Sequence, residues 1–211
     1  MKPDFLSTVT RIACGLMVLV TLSACASLVR PNFTQEVLEI RPGEYRLDPE
    51  HVYIHFKIEH LGLSTVVGRF NQSEASLDFN PNNMADMRLE GVIDMASLDM
   101  NNPSLEKRLL GSDWFDVARY PETSFLTTEV VPTGGNNIAI TGDFTLHGVT
   151  RSLTLDAVFK GGADNLLTGK YTLGFAATGS FLRSDYGVDA FGGLIADEVF
   201  VEIHAEFQRE S

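Results

Sequence analysis

Two histidines stand at the spacing that suits a shared metal ion on a helix. His51 and His55 are four residues apart, and helical zinc sites use this spacing to bring two imidazoles together. The residues around them alternate between apolar and polar with period two, which is typical of a strand instead. On a strand the two side chains would lie about 13 Å apart, too far for one ion. The sequence therefore predicts no metal site and no cofactor.

Other patterns that carry catalysis are incomplete. Gly179-Ser180 lacks the second glycine of a nucleophile elbow, so we assign no catalytic serine. No glycine-rich phosphate loop follows a strand and opens a helix. These observations argue against an enzyme, and a hydrolase of the cell envelope is the least favoured of the functions considered.

The N-terminus has the features of a bacterial signal peptide. Lys2 and Arg11 precede residues 12–22, an apolar run that is too short to span a bilayer. The run leads into Leu22-Ser23-Ala24-Cys25, which resembles the lipobox of bacterial lipoproteins. In that motif the cysteine is acylated and becomes the first residue of the mature chain. The alternative is an ordinary secretory signal with an incidental cysteine.

These features divide the chain into three predicted regions. Residues 1–24 form a lipoprotein signal peptide, 25–42 a tether that is lipidated at Cys25, and 43–211 a folded domain. Cys14 would be removed with the signal, so the mature chain would keep no free thiol. Resemblance to lipoprotein sorting signals implies an outer-membrane position facing the periplasm, because Ala26 follows the cysteine.

The chain is acidic, with 16 Lys and Arg against 28 Asp and Glu and a net charge of -12. Residues 1–24 carry two of the basic residues and one of the acidic ones, so the mature chain would have a charge of -13. Such a surface repels phosphate groups, which excludes nucleic acid as an expected partner. It also repels anionic lipid headgroups, so attachment to a membrane would depend on the acyl chains.

The period-two alternation continues to the C-terminus and predicts an all-β fold. Clear strands are predicted at 52–58, 87–95, 138–146, 149–159 and 199–207, and weaker ones at 66–80, 123–131 and 170–182. Residues 134–137 and His147-Gly148 predict hairpin turns, and Gly161-Gly162 predicts the start of a longer turn. One stretch, 102–115, has a helical pattern.

Short connections between consecutive strands indicate antiparallel neighbours, and eight long strands in this order can close into a barrel without open edges. A transmembrane barrel would have the same periodicity. It is disfavoured because a lipid anchor would be redundant on it. One Trp and five Tyr are also few for two aromatic girdles, and the chain ends in the polar residues Gln208 to Ser211.

Four blocks, in this order, resemble the YceI-like family: FKIEHLGLSTVVGRF (56–70), LLGSDWFDVARYP (109–121), GDFTLHGVTR (142–151) and RSDYG (183–187). Together they place the resemblance over about residues 43–208. It implies an eight-stranded antiparallel lipocalin-like barrel with one short helix. It further implies that a polyisoprenoid or another long-chain amphiphilic lipid binds inside the barrel, in the bacterial envelope.

The inward apolar positions are the predicted contacts of such a lipid tail. Each buried methylene contributes about 0.8 kcal/mol, so side chains without special chemistry would be enough to hold a long chain. Gly91 and Gly142 lie on apolar faces, where they either leave room for a ligand or allow a strand to bend. The predicted lining consists of Phe56, Ile58, Leu89, Ile93, Ile140, Leu153, Leu155, Phe175, Val201 and Ile203.

His60 and Arg183 are the predicted contacts of the polar end of the lipid. The structural alternatives are a satisfied histidine at a strand end and an ion pair between Arg183 and Asp185. The first hypothesis for the whole protein is therefore a non-enzymatic carrier or sequestering protein for a lipid. The second is a structural or interaction module whose barrel is filled by its own side chains.

Overall fold

The computed structural model describes residues 33–210. The predicted signal peptide and Cys25 lie outside this range. Within it the chain forms ten strands, one α-helix and four short 3-10 turns at Val37–Glu39, Met84–Asp86, Met95–Ser97 and Arg183–Tyr186. The helix is α1 (Pro103–Leu109). The strands are β1 (Gly43–His60), β2 (Ser64–Phe70), β3 (Ser73–Phe79), β4 (Arg88–Asp94), β5 (Leu98–Asp99), β6 (Glu122–Gly134), β7 (Asn137–Leu146), β8 (Val149–Asp164), β9 (Tyr171–Leu182) and β10 (Ile195–Arg209).

The sheet closes on itself through β1 and β10. The strands follow the order β10-β9-β8-β7-β6-β4-β3-β1, and β1 also pairs antiparallel with β10 from Tyr45 opposite Arg209 to His60 opposite Ile195. β1 pairs with β3 near its start and with β2 near its end. β2 and β3 together therefore occupy one of the eight strand positions in the wall of the barrel. The predicted eight-stranded antiparallel barrel is confirmed.

One predicted strand, 66–80, is divided in two. β2 and β3 are separated at Asn71 and Gln72, whose backbone N–H groups donate to the hydroxyl of Ser97 at 3.2 and 3.0 Å. This connection lets the short strand β5 pair with the end of β2. Alternation alone does not locate such a break, because the hydroxyl group that satisfies its backbone N–H groups is 25 residues away from Gln72 in the sequence.

The predicted turn at Gly161-Gly162 is wrong. Both glycines lie inside β8, at a register shift where the strand bulges, and the turn comes later, at residues 165–169. Gly162 exchanges two backbone hydrogen bonds with Thr34, at 2.9 and 2.8 Å. A Cβ on Gly161 would lie 2.8 Å from the carbonyl oxygen of Thr34. The glycines are therefore needed for the close approach of another backbone.

That approaching backbone belongs to the predicted tether. The part of it that the structure describes, residues 33–42, packs against the barrel. Ile40 is buried in the core, and Arg41 forms two 2.7 Å hydrogen bonds with the carboxylate of Asp164. The contact lies at the end of the barrel where β1 begins, called the closed end below.

The closed end is filled by its own side chains. Phe159 packs on Phe79 and Phe175, with ring centroids 6.1 and 5.3 Å apart, and Phe175 meets the edge of Phe207. Tyr45 is completely buried among them. This half of the interior therefore has the dense packing of an ordinary protein core.

Helix α1 lies over the opposite end of the barrel. It is shorter than the predicted stretch 102–115. Asn102 caps its first turn by accepting a hydrogen bond from the backbone N–H of Leu105, and Pro103 occupies the first helical position. The buried Leu109 packs with Trp114 and Val188, and Leu105 joins this cluster. No helix among residues 33–210 is both long and apolar enough to cross a membrane.

Replacing Gly161 by alanine should release the N-terminal segment from β8. Gly161 has a φ of +132°, which disfavours alanine, and the added Cβ would also displace Thr34. We expect a loss of at least about 1 kcal/mol in the free energy of unfolding, together with faster cleavage at Glu36 and Glu39 by a glutamate-specific protease. In Gly169→Ala, which has a φ of +69° and no atom near the new Cβ, cleavage at these sites should not change. Equal cleavage rates in the two variants would contradict the docking contact.

Candidate ligand-binding cavity

A cavity of about 450 Å3 occupies the half of the barrel opposite the closed end. Strands β1 and β2 and the start of β10 form part of its wall, and α1 and the segment after it form its cover. Of its 30 lining residues, five are polar: His55, His60, Arg108, Thr123 and Arg183. The apolar ones are Ile54, Phe56, Ile58, Val66, Phe70, Ile93, Met95, Met100, Leu105, Leu109, Trp114, Phe115, Phe125, Phe144, Leu146, Leu153, Leu155, Phe181, Val188, Phe191, Leu194, Ile195, Val199, Val201 and Ile203.

Seven of the ten apolar residues predicted as lining lie on this wall: Phe56, Ile58, Ile93, Leu153, Leu155, Val201 and Ile203. The other three are inward-facing but belong to the filled half. Leu89, Ile140 and Phe175 pack in the cluster around Phe159 and Tyr45. Period-two alternation tells which face a residue is on, but it does not tell how far along the barrel axis the residue lies.

The inward glycine Gly142 does not enlarge the cavity. A Cβ there would lie 2.4 Å from the ring of Phe125 and 2.6 Å from the carbonyl oxygen of Leu126. The space that this glycine leaves is thus taken by Phe125, a residue at the boundary between the filled half and the cavity. A Cβ on Gly91 would make only an ordinary contact with Ala75, at 3.7 Å.

Two loops form an apolar rim at the end of the barrel that α1 covers, beside the opening of the cavity. Leu61 and Leu63 lie in the turn between β1 and β2, and Phe191 and Leu194 lie in the loop before β10; all four side chains are at least half exposed. The loops are joined by a 2.9 Å hydrogen bond from the N–H of Leu61 to the carbonyl of Leu194. Phe191 stacks on Trp114 at 5.9 Å, which connects the rim to the cover of the cavity.

Arg183 fixes the loop that carries this rim. Its side chain is buried, and its guanidinium donates to four backbone carbonyls: Val188 at 2.6 Å, Ala190 at 2.9 Å, Ala196 at 3.0 Å and Ile195 at 3.2 Å. The predicted alternative, an ion pair with Asp185, is not formed. Because most of its N–H groups are used in these bonds, Arg183 has a positioning role at the cavity wall.

The other polar groups of the wall are more accessible. His60, the second predicted polar contact, ends β1, is exposed and lines the cavity. Arg108, which the sequence reasoning did not select, lies in the last turn of α1 and lines the cavity as well. Its place on a helix that folds over the opening depends on tertiary packing, so no local signal in the sequence identifies it.

The indole nitrogen of Trp114 is buried in the cover of the cavity. Its side chain is 7% exposed, and its indole N–H is buried without a hydrogen-bond partner, the one such side-chain group found in residues 33–210. The guanidinium of Arg183 lies 5.7 Å from the centre of its ring, a distance at which a cation is attracted to the π-face. The contact places a positive charge behind the cover of the cavity.

One cluster of possible metal ligands lies outside the cavity, at the bulge of β1. Ligand atoms of Asp48, His51 and Glu206 lie within 4.8 Å of one another. The buried Asp48 carboxylate already accepts hydrogen bonds from the ring of His51, from the N–H of Glu50 and from Gln208. Burial by itself would raise the pKa of Asp48, but these bonds outweigh it and the pKa is lowered; the same contact raises the pKa of His51. The cluster is thus a hydrogen-bonded group centred on the Asp48 carboxylate, at the bulge of β1.

A closed antiparallel barrel with an apolar cavity near one end is the architecture of the lipocalin-like binding barrels. Within that class, this chain belongs to the YceI-like family. The profile of the YceI-like domain matches residues 45–207, which is nearly the whole of the barrel. The resemblance seen in the sequence blocks is thereby confirmed.

Relatives and solved structures agree with this assignment. A UPF0312 protein of Vibrio parahaemolyticus is 35% identical over 171 residues, which cover 80% of this chain and 89% of the relative. The crystal structure of Burkholderia cenocepacia BcnA matches with a TM-score of 0.69 at 24% identity, over 76% of this chain and 98% of that one. A polyisoprenoid binding domain from Saccharophagus degradans matches with a TM-score of 0.59 at 14% identity, over 81% and 100%. The last two likenesses concern the fold.

Replacing Arg183 by lysine should loosen the rim loop. A lysine keeps the charge, but its single ammonium nitrogen cannot donate hydrogen bonds to all four carbonyls as the planar guanidinium does. We expect the free energy of unfolding to fall by about 3 kcal/mol, because buried carbonyls lose their partners. Hydrogen exchange should accelerate at the amides of residues 187–196. Arg151→Lys, at an exposed position on β8, should change neither quantity. Unchanged exchange in Arg183→Lys would show that the loop is held by other contacts.

Proposed function

We propose that this protein binds one long-chain amphiphilic lipid of the polyisoprenoid type and carries or sequesters it in the bacterial envelope. The observation that supports this most strongly is the cavity. Its volume of about 450 Å3 lies in the range of small-molecule binding sites, roughly 300 to 1,000 Å3, and 25 of its 30 lining residues are apolar. Such a wall favours a hydrocarbon chain, since each methylene that leaves water contributes about 0.8 kcal/mol.

The filled half of the barrel determines which end of the lipid lies inside the cavity. Phe125 and Ile203 lie at the boundary between the cavity and the packed cluster around Phe159. A tail that enters between α1 and the rim loops therefore stops near the middle of the barrel. The polar end of the lipid stays close to the opening, where His60 and Arg108 lie.

The catalytic alternative has less support. The polar residues on the wall are a threonine, two histidines and two arginines. A serine or carboxylate nucleophile beside a base is absent from the lining among the residues described. This composition favours binding over turnover.

Filling the cavity should abolish lipid binding without unfolding the barrel. Val201→Trp adds an indole to the wall, and we expect bound lipid, measured by native mass spectrometry after purification from cell envelopes, to fall at least tenfold. The matched control is Ile140→Val in the packed half. It should lower the free energy of unfolding by about 1 kcal/mol and leave lipid binding intact. Wild-type protein that carries no lipid and binds none when it is offered would overturn the proposed function.

We further propose that Cys25 is acylated and holds the protein on the periplasmic face of the outer membrane. The support is the sequence Leu22-Ser23-Ala24-Cys25 after a short apolar run. In cells fed labelled palmitate, the wild type and Cys14→Ser should carry the label, and Cys25→Ser should lose it and leave the membrane fraction. Label that persists in Cys25→Ser, or a wild type without label, would contradict the anchor.

A further inference from the structure

The wall of the cavity has a charge pattern opposite to that of the chain. The protein has 28 Asp and Glu among 211 residues, yet none of the 30 residues that line the cavity is acidic. The charged residues of the lining are Arg108 and Arg183, and His60 adds an imidazole at the end of β1. In a net-acidic protein, the charged side chains on the cavity wall are thus all basic.

Arg108 is free to contact a ligand. Its side chain is exposed and forms no ion pair or hydrogen bond with any part of residues 33–210. The neighbouring carboxylate on α1 belongs to Glu106, which accepts hydrogen bonds from the backbone N–H groups of Met100 and Asn102 at 2.9 and 3.2 Å. Glu106 is therefore held at the start of the helix and is not paired with Arg108.

Arg183 is the other charged residue of the cavity wall. Arg183 contributes a buried positive charge, although four carbonyls take most of its N–H groups. The carboxylate of Asp197 accepts hydrogen bonds from the hydroxyl and the N–H of Ser184, the residue after Arg183. Asp197 lies with Glu59 and Asp189 in a surface pocket that shares Arg183, Leu194 and Ile195 with the cavity, and none of these three carboxylates lines the cavity itself.

We propose that the lipid's head group is anionic, a phosphate or a carboxylate, and that Arg108 binds it with the help of His60. This inference rests on the proposed function and adds the chemical class of the head group. Arginine offers several N–H donors in a fixed plane that matches two oxygens of a phosphate or carboxylate. A neutral alcohol with the same tail supplies one oxygen and no charge, so its head group contributes less binding free energy at the same wall.

The test compares ligands that share a tail and differ in the head group. Dissociation constants for farnesyl phosphate and farnesol, and for palmitate and hexadecanol, are measured by calorimetry on the purified full chain, stripped of co-purifying lipid. In each pair the anion should bind about tenfold more tightly than the alcohol at low salt, and less so at high salt. A preference for farnesyl phosphate alone identifies a phosphate site, and one for palmitate alone a carboxylate site.

Two variants on one helix separate a head-group contact from a structural effect. Arg108→Gln should remove most of the anion preference, because it should weaken the binding of the anions much more than that of the alcohols. Lys107→Gln, one residue away and not on the cavity wall, should leave both unchanged. His60→Gln should reduce the preference by a smaller factor. Thermal melting of each variant checks that the barrel remains folded.

The outcomes distinguish this inference from the proposed function. Alcohols that bind the wild type as tightly as the anions do would overturn the head-group assignment and leave lipid binding standing. Equal losses for both ligands in Arg108→Gln would show that this residue acts on the tail or on the helix, and would also overturn it. If none of the four ligands binds, the proposed function fails as well.

Discussion

The closure of the sheet between β1 and β10 is the constraint on which the rest of the structure depends. It pairs backbone groups that would otherwise form an open edge, and it fixes the width of the interior at eight wall positions. Within that fixed width, the packing of the inward side chains against one another decides which half is filled and which is hollow. Stacked phenylalanines and Tyr45 fill the closed end, whereas Val201 and Leu153 lie on the wall of the cavity in the other half.

The opening is built from segments outside the regular strands, and each segment is stabilised by its own side-chain hydrogen bonds to the backbone. Asn102 and Glu106 fix the start of α1 by accepting backbone hydrogen bonds. Arg183 holds the loop after β9 by donating to carbonyls from Val188 to Ala196. Phe191, in the loop before β10, stacks on Trp114, in the segment after α1, and this contact connects the two segments. Polar residues thus stabilise the segments around the entrance of the barrel, and Arg183, which lies in the fourth YceI-like block, is close to the cavity while its guanidinium is occupied by backbone carbonyls.

Much of the architecture follows from the sequence because period-two alternation and turn residues are local signals. Strand β7, the start of β8 and the turn at His147 and Gly148 agree closely with prediction, and both turn residues adopt the positive φ that such a hairpin requires. Strand β8 continues five residues past its predicted end, to Asp164. Gly161-Gly162 was misread because a glycine pair at a bulge has the same composition as one in a turn. The contact with Thr34 that explains it joins residues more than 120 positions apart.

The sequence by itself determined the fold class, the family and which residues face inward, because these depend on local periodicity and on short motifs. Only the tertiary structure decided which inward residues line a cavity and which fill the core. Leu89 and Ile93 lie on one strand with the same orientation, yet one belongs to the filled half and the other to the cavity. The physical reason is that height along the barrel axis is set by the tilt and register of all strands together, as is the position of Arg108 over the opening.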